Sequence, residues 1–378
     1  MKKSDSKALS SDRKTGFTVD RKALVKGLAC VTKCIPANPV LPILNCVRMG
    51  WEKGGLCLDA TNLDVFISTE IQIENTEGRA VVCVSAKAVL SVVQSMRSEQ
   101  VVFRMDHTNL ILEASEGMYT FACTSEDDFP PTPDLGEVDS FSLPQDELKK
   151  AISTVICASS EDTSRIVLNA VYFDLVAKDK IALVCTDGTM LGMKNVHNEA
   201  NIKPFSLPRD AALLLTSSLG SEGDVRCVVV GTKFRACFDE TKIVISLREG
   251  TFPNYKQVIP LKGTTHFSLE RDSLEASLQR LSFVTDRAIK MVCSKKEIKL
   301  SGSNAGVSNK GEETLAIEDM MLPEGEKEII VSFDIEKMVR VCSSFDAGKL
   351  LIDFMNDLTP VRLTQGDVLF IVMPMKIQ

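Results

Sequence analysis

Apolar residues recur along this chain at two periods. In one set of stretches they return every three or four residues. Leu24, Leu28, Val31 and Ile35 form one such stripe, Leu274, Leu278 and Leu281 another, and Ile335, Met338, Val339 and Cys342 a third. That spacing predicts amphipathic helices. Stretches 85–97, 144–158 and 208–219 bring the predicted helices to six. Asp20 stands before the first stripe as an N-cap, and Pro36 follows its end. Between the helices lie short alternating or β-branched runs at 56–60, 101–105, 110–114, 181–185, 225–230, 242–247 and 328–331. These predict strands, joined by turns such as Lys53-Gly54-Gly55 and Glu116-Gly117.

The pattern occurs three times. Phe17-Thr-Val-Asp-Arg-Lys-Ala-Leu24, Phe141-Ser-Leu-Pro-Gln-Asp-Glu-Leu148 and Phe267-Ser-Leu-Glu-Arg-Asp-Ser-Leu274 begin alike, 124 and 126 residues apart. A second landmark recurs as Val84-Ser-Ala-Lys87, Leu207-Pro-Arg-Asp210 and Phe333-Asp-Ile-Glu336. A third recurs as Asp128-Phe-Pro130, Thr251-Phe-Pro253 and, more loosely, Leu369-Phe-Ile371. A period this long implies repeated domains rather than a solenoid of small units. The expected domains are 17–137, 138–262 and 263–378, after a polar tail at 1–16 read as disordered. Each is expected to be an α+β unit, two helices packed on one side of antiparallel sheet.

Composition excludes some function classes. The 378 residues are 44% hydrophobic and 25% charged, ordinary for globular domains. No apolar run reaches the roughly 18 residues of a membrane span, and residues 1–16 lack the apolar stretch of a secretory signal. A cytoplasmic protein without membrane partners is expected. The twelve cysteines are scattered, without a CxxC pair, and most lie in apolar runs. They read as buried thiols. Cys30 and Cys34 are four apart on a predicted helix, but no paired cysteine or histidine accompanies them, so no metal is expected.

A net charge of −7 speaks against nucleic acid unless the basic residues are segregated. Along the predicted helices the bases include Lys22, Lys26, Lys149, Lys150, Arg209, Arg271, Arg280 and Lys337. The helical acids crowd the first turns, at Asp146, Glu147, Asp210, Asp272, Asp334 and Glu336, where the helix dipole favours anions. Six helices sharing a mildly basic face fit this distribution, and so do ordinary solvated helix faces.

Catalytic motifs are weak. Cys185-Thr-Asp-Gly-Thr189 resembles a phosphohydrolase motif, but Cys185 stands where the attacking carboxylate is required. His107, His197 and His266 lie far apart and lack metal-ligand neighbours. Neither GxGxxG nor GxxxxGK[ST] occurs, so no nucleotide cofactor is expected.

Several ordered motifs carry a family resemblance: Leu41-Pro-Ile-Leu44, Ala60-Thr-Asn-Leu-Asp64, Asp128-Phe-Pro130, Cys185-Thr-Asp-Gly188, Gly250-Thr-Phe-Pro-Asn-Tyr255, Val258-Ile-Pro260 and Val372-Met-Pro-Met375. Across 17–378 the chain resembles the β subunits of bacterial DNA polymerase III, the sliding clamps. The resemblance implies a non-catalytic processivity factor without cofactors. It implies three similar domains with helices inside and sheets outside, and two chains closing head to tail around duplex DNA. Implied partners are the polymerase III catalytic subunit, the clamp loader and other proteins with a clamp-binding motif. A partner-peptide pocket is implied at Arg165, Leu168, Thr186, Gly188, Leu191, Pro253, Val258, Pro360, Ile371, Met373, Pro374 and Met375. A dimer contact is implied between Tyr119 and Phe121 of one chain and Phe283 and Val284 of the other.

Two departures stand out. Thr189-Met190 replaces a frequent His-Arg, and the chain ends Lys376-Ile-Gln378 where relatives often end in Arg-Leu. Ile371–Met375 also reads as a plain core strand, although Pro374 lacks a ladder N–H and suggests a sheet edge. Composition and charge alone leave two other classes open: an interaction scaffold that does not bind DNA, and an enzyme with a dispersed site.

Overall fold

The computed structural model describes residues 15–136, 140–198, 202–260, 263–304 and 306–376. Most of the tail expected at 1–16, the repeat boundaries near 137–138 and 262, and the last two residues lie outside them. Six α-helices are present among the described residues: α1 Arg21–Val31, α2 Ala86–Ser95, α3 Gln145–Val155, α4 Arg209–Ser218, α5 Arg271–Ser282 and α6 Ile335–Ser343. They pack in consecutive pairs, α1 with α2, α3 with α4 and α5 with α6.

Local signals explain the helices. The Asp20 carboxylate caps α1 by accepting from the Ala23 N–H at 2.8 Å. Leu24, Gly27, Leu28 and Val31 form the buried stripe. A Cβ at Gly27 would stand 2.5 Å from Ile71 Cδ1, so glycine lets α1 approach its sheet closely. The α-helix ends at Val31 and tightens into a 3₁₀ turn at Thr32–Cys34, leaving Ile35 extended beyond the expected stripe. In α6 the buried set is Ile335, Met338, Val341 and Cys342, and Val339 is only half-buried. Three of the four expected stripe residues are buried, and Val341 takes the place expected for Val339.

Every described strand pairing is antiparallel. The chain splits into two compact units that do not follow the repeat boundaries: residues up to 138 with 225–245, and 139–224 with 246–378. In the first unit, one sheet runs in the order Glu74–Glu77, Gly16–Asp20, Gln100–Asp106, Asn109–Ala114, Gly117–Ala122. The hairpin of Lys233–Phe238 and Thr241–Ser246, late in the second repeat, pairs onto Val65–Gln72 of the first, with Ile243 opposite Ile67. The turn at Lys53 and Gly54 has φ 43° and 91°. Two left-handed centres match the twist of its hairpin, as the Lys-Gly-Gly sequence predicted.

In the second unit a nine-stranded sheet runs Phe205–Pro208, Ala170–Ala177, Lys180–Thr186, Met190–His197, Val368–Val372, Val361–Gln365, Lys349–Phe354, Thr265–Glu270, Glu318–Met321. It joins the second and third repeats at the pairing of Met190–His197 with Val368–Val372. A four-stranded sheet runs Asn309–Ala316, Glu297–Asn304, Ala288–Ser294, Glu328–Asp334.

Two sequence expectations change here. Ile371 is not at an edge: Val368–Val372 is bonded on both sides. Proline's missing donor constrains only ladder residues, and Pro374 lies beyond the end of that strand. Phe370 is likewise a ladder residue, whereas Phe129 and Phe252 are buried residues outside strands, so Leu369-Phe-Ile371 is not their structural counterpart. All twelve cysteines are thiols, and burial raises most of them, Cys34, Cys83 and Cys342 to about 12.

Candidate partner-peptide site

The site is built on the tight turn at Asp187, Gly188 and Thr189, between two strands of the nine-stranded sheet. At Thr186–Met190 the chain reverses through Gly188, whose φ of +91° is left-handed and suits glycine. The Thr186 hydroxyl donates to the Met190 carbonyl at 2.6 Å and accepts from the Gly188 N–H at 3.1 Å. Asp187 Oδ1 accepts from the Thr189 and Met190 N–H groups at 2.7 and 2.8 Å, and from the Thr189 hydroxyl at 2.8 Å. The Thr186 hydroxyl and the Gly188 N–H, expected to face a ligand, therefore bond within the turn. Burial pushes the Asp187 carboxyl up, but the Lys337 ammonium at 2.8 Å and the turn's N–H donors outweigh it, leaving it below the usual carboxylate range. The Arg165 guanidinium donates to the Asp187 carbonyl at 3.0 Å from another loop.

From this turn the sheet carries the apolar wall. Leu191 pairs with Ile371 across the join between repeats. Both belong to one buried cluster with Ala182, Val184, Phe252, Tyr255 and Leu369, and Val167, Tyr172 and Ile259 pack against it. Tyr172 stacks on Phe252 with ring centroids 4.5 Å apart. The Tyr255 hydroxyl donates to Asp174 at 2.8 Å, and burial together with that carboxylate pushes its phenol far above the usual range.

The expected pocket residues fall into two sets. Thr186, Leu191 and Ile371 are buried structural members. Pro253, Val258 and Met373 are exposed, Val258 at 53% and Met373 at 42%, while Leu168, Pro360, Pro374 and Met375 are half-buried. Pro360 directly precedes Val361, which pairs with Val372. The tail past the strand is held at two points: the Met373 N–H donates to the Thr189 carbonyl at 2.9 Å, and the Met375 N–H to the Ser332 carbonyl at 2.7 Å. Sequence reasoning missed Tyr172, Phe252 and Tyr255 as the floor, although Phe252 and Tyr255 lie in a motif it had singled out.

The expected DNA-facing cations differ in their surroundings. Lys22 and Lys26 on α1 are exposed, and neither forms an ion pair with another of the described residues. Lys149 donates to the Leu219 carbonyl at 3.2 Å, and Lys150 pairs with Asp346 at 2.6 Å. Arg209 donates to the Ser159 hydroxyl at 3.0 Å and lies 3.6 Å from Glu161. Arg271 pairs with Glu275 and Asp272, and Arg280 grips Glu313 with two bonds of 2.8 and 2.6 Å. Lys337 pairs with Asp187.

Among the described residues, Tyr119 and Phe121 lie on an edge strand, and Phe283 and Val284 follow α5 beside another. Tyr119 and Phe121 are half-buried on Gly117–Ala122, the last strand of its sheet, beside Met118 at 67% exposure. Phe283 is 85% exposed. Val284 lies against Gly311 on Asn309–Ala316, the last strand of the four-stranded sheet. That edge strand was missed because its polar sequence, Asn-Lys-Gly-Glu-Glu-Thr, lacks a strand's apolar face.

Comparison with known proteins covers nearly the whole chain. The family descriptions for the DNA polymerase III beta subunit match in order: the N-terminal domain at residues 15–133, the central domain at 142–254 and the C-terminal domain at 256–376. The beta sliding clamp of Buchnera aphidicola is 23% identical over 368 residues, covering 95% of this chain and 99% of that protein. The beta sliding clamp of Escherichia coli K12 is 21% identical over 371 residues, covering 96% and 100%. Among solved structures, the DNA polymerase III subunit beta of Pseudomonas aeruginosa superposes with a TM-score of 0.90 at 22% identity, covering 96% of this chain and 100% of that one. A Bartonella birtlesii sliding clamp solved with griselimycin gives 0.89 at 23% identity, covering 96% and 100%.

Proposed function

Since the chain belongs to the DNA polymerase III beta subunit family and is a DNA sliding clamp, we propose that it works as a head-to-tail homodimer closed around duplex DNA. The observation that carries this reading is the pair of free sheet edges, Gly117–Ala122 and Asn309–Ala316, each with exposed apolar side chains beside it. An unpaired edge next to an 85%-exposed phenylalanine is a liability in a monomer. Joining one edge to the other continues both sheets across a heterologous contact, and such a contact makes a ring when its rotation closes. Changing Phe121 and Phe283 together to alanine is expected to give a folded monomer by light scattering, and a persisting dimer would refute the contact. Retention on circular but not linearised DNA tests encirclement. Retention on neither leaves an interaction scaffold as the better reading, and equal retention on both means binding without encirclement.

The ring tethers rather than catalyses, in the cytoplasm, with each repeat forming one of three clamp domains. The polymerase III catalytic subunit, the clamp loader and other motif-bearing proteins dock a short peptide, with a glutamine and a few apolar side chains, on the wall at Leu168, Pro253, Val258, Pro360 and Met373. Apolar walls with a few placed polar groups suit such a ligand. With Thr189-Met190 supplying no charge, binding leans on apolar burial. Deleting 373–378 is expected to abolish binding of a fluorescein-labelled peptide of this composition while leaving the dimer intact. Unchanged affinity in the truncated dimer would place the site elsewhere.

A further inference from the structure

The turn beneath the peptide site is gripped by a cation from a distant part of the chain. We propose that this cation, Lys337, is a positioning residue that sets the geometry of the site through Asp187; the inference rests on the reading of that site given above. Lys337 stands in the first turn of α6, where its own N–H donates to Asp334 Oδ1 at 3.2 Å. Its ammonium crosses to Asp187 Oδ2 at 2.8 Å and also donates to the Thr189 hydroxyl. Both charged side chains are only about a fifth exposed, at 20% and 19%, so water screens this pair less than a surface pair.

The consequences pass along hydrogen bonds already described. Asp187 uses its two carboxylate oxygens for different tasks: Oδ1 holds the turn's own donors, and Oδ2 holds the lysine. The carbonyl of Thr189, in the middle of this assembly, accepts the Met373 N–H. Met190 and Leu191 then enter the sheet opposite Val372 and Ile371. The placement of Met373 at the rim and of Leu191 in the wall thus follows from where the turn sits, and Lys337 ties the turn to α6. Neither Thr189 nor Met190 carries a charge; the cations at this turn come from elsewhere, Arg165 onto the Asp187 carbonyl and Lys337 of α6 onto its carboxylate, and both bond the turn itself.

The test is a double-mutant cycle read by anisotropy of a fluorescein-labelled pentapeptide with one glutamine and three apolar residues. Lys337→Met is expected to weaken binding by about tenfold, the scale set by one charge-assisted hydrogen bond. Lys337→Arg, which can still grip the carboxylate, is expected to stay within about twofold of the parent. Asp187→Asn is expected to weaken binding alone, and Lys337→Met added to it to cost little more, because the lysine acts through the aspartate. Dimer mass and thermal midpoint are followed in parallel. Should Lys337→Met lower the midpoint, the Asp187→Asn variant, which keeps the lysine and the side-chain volume, carries the test. Full affinity in Lys337→Met, or an undiminished loss when it is added to Asp187→Asn, overturns the inference while leaving the site standing. A parent protein that does not bind the peptide overturns the site itself.

Discussion

Helices α1 and α5 open their repeats in the same way and both carry basic residues, Lys22 and Lys26 at positions different from those of Arg271 and Arg280, and the charges differ in kind. On α1, Lys22 and Lys26 are exposed and meet no acid among the described residues. On α5, Arg271 lies against Glu275, Asp272 and the Asp346 carbonyl, and Arg280 is clasped by Glu313. Glu313 also accepts from the buried Ser277 hydroxyl at 2.7 Å. The first pair is free to attract phosphate. The second is largely neutralised at short range and ties the helix to its surroundings. A count of bases along a helix therefore measures attraction to DNA only after the acids that reach it are known.

The largest expected effect is on stability. Arg271 and Glu275 side chains are 16% and 17% exposed, so Arg271→Ala leaves a mostly buried carboxylate without its charged partner, held by the Ser343 hydroxyl and the Gln279 amide. A loss of about 2 kcal/mol in urea denaturation is expected. Lys22→Ala, by contrast, is expected to change stability by less than about 0.5 kcal/mol. Equal losses would erase the distinction between the two helices.

A smaller effect appears in DNA binding. Removing Lys22 and Lys26 together is expected to flatten the dependence of log affinity on log salt by roughly two, about 0.9 for each phosphate contact. Anisotropy of a labelled duplex over a salt series measures this. The matching change of Arg271 and Arg280 is expected to leave the slope nearly unchanged, and the contrast breaks if both pairs flatten it alike. Affinity should be indifferent to sequence in every case.

A still smaller effect is acid-dependent. Hydrogen bonds from Arg280 hold the Glu313 carboxyl below its usual range, against the upward push of desolvation. A depressed carboxyl contributes stability that is complete above the unfolded value of about 4.3 and is lost as pH falls through the folded value. Glu313→Gln is therefore expected to lower stability at neutral pH and to make the acid limb below about pH 4.3 shallower. An unchanged acid limb in thermal melts would mean that Glu313 does not hold α5.

The smallest effect is expected at Lys150. Its pair with Asp346 is 2.6 Å long but more than half exposed on both sides. Lys150→Ala is expected to cost less than about 1 kcal/mol, and the difference should fade in high salt.

Much of the fold was legible in advance. All six helices, the Asp20 cap and the Lys53-Gly54 turn follow from residues within a few positions of one another. Strand runs such as 101–105 and 225–230 appear at Gln100–Asp106 and Asp224–Val230. The candidate site was legible only as names. Leu191 and Ile371 were both expected there, but 180 residues separate them, and the register that sets them opposite each other belongs to the sheet.

What the sequence determined by itself is therefore local: periodicity placed helices and strands, turn chemistry reversed the chain, and three similar copies announced three similar foldings. Tertiary structure alone decided which strand of one repeat continues the sheet of the next, and it enclosed Val368–Val372 despite the nearby proline. It also decided which cations meet acids, bringing Lys337 to Asp187 across 150 positions of chain. The physical reason is that backbone propensity and capping act within a turn or two. Register, burial and charge pairing depend on groups whose distance in space bears no relation to their distance in sequence.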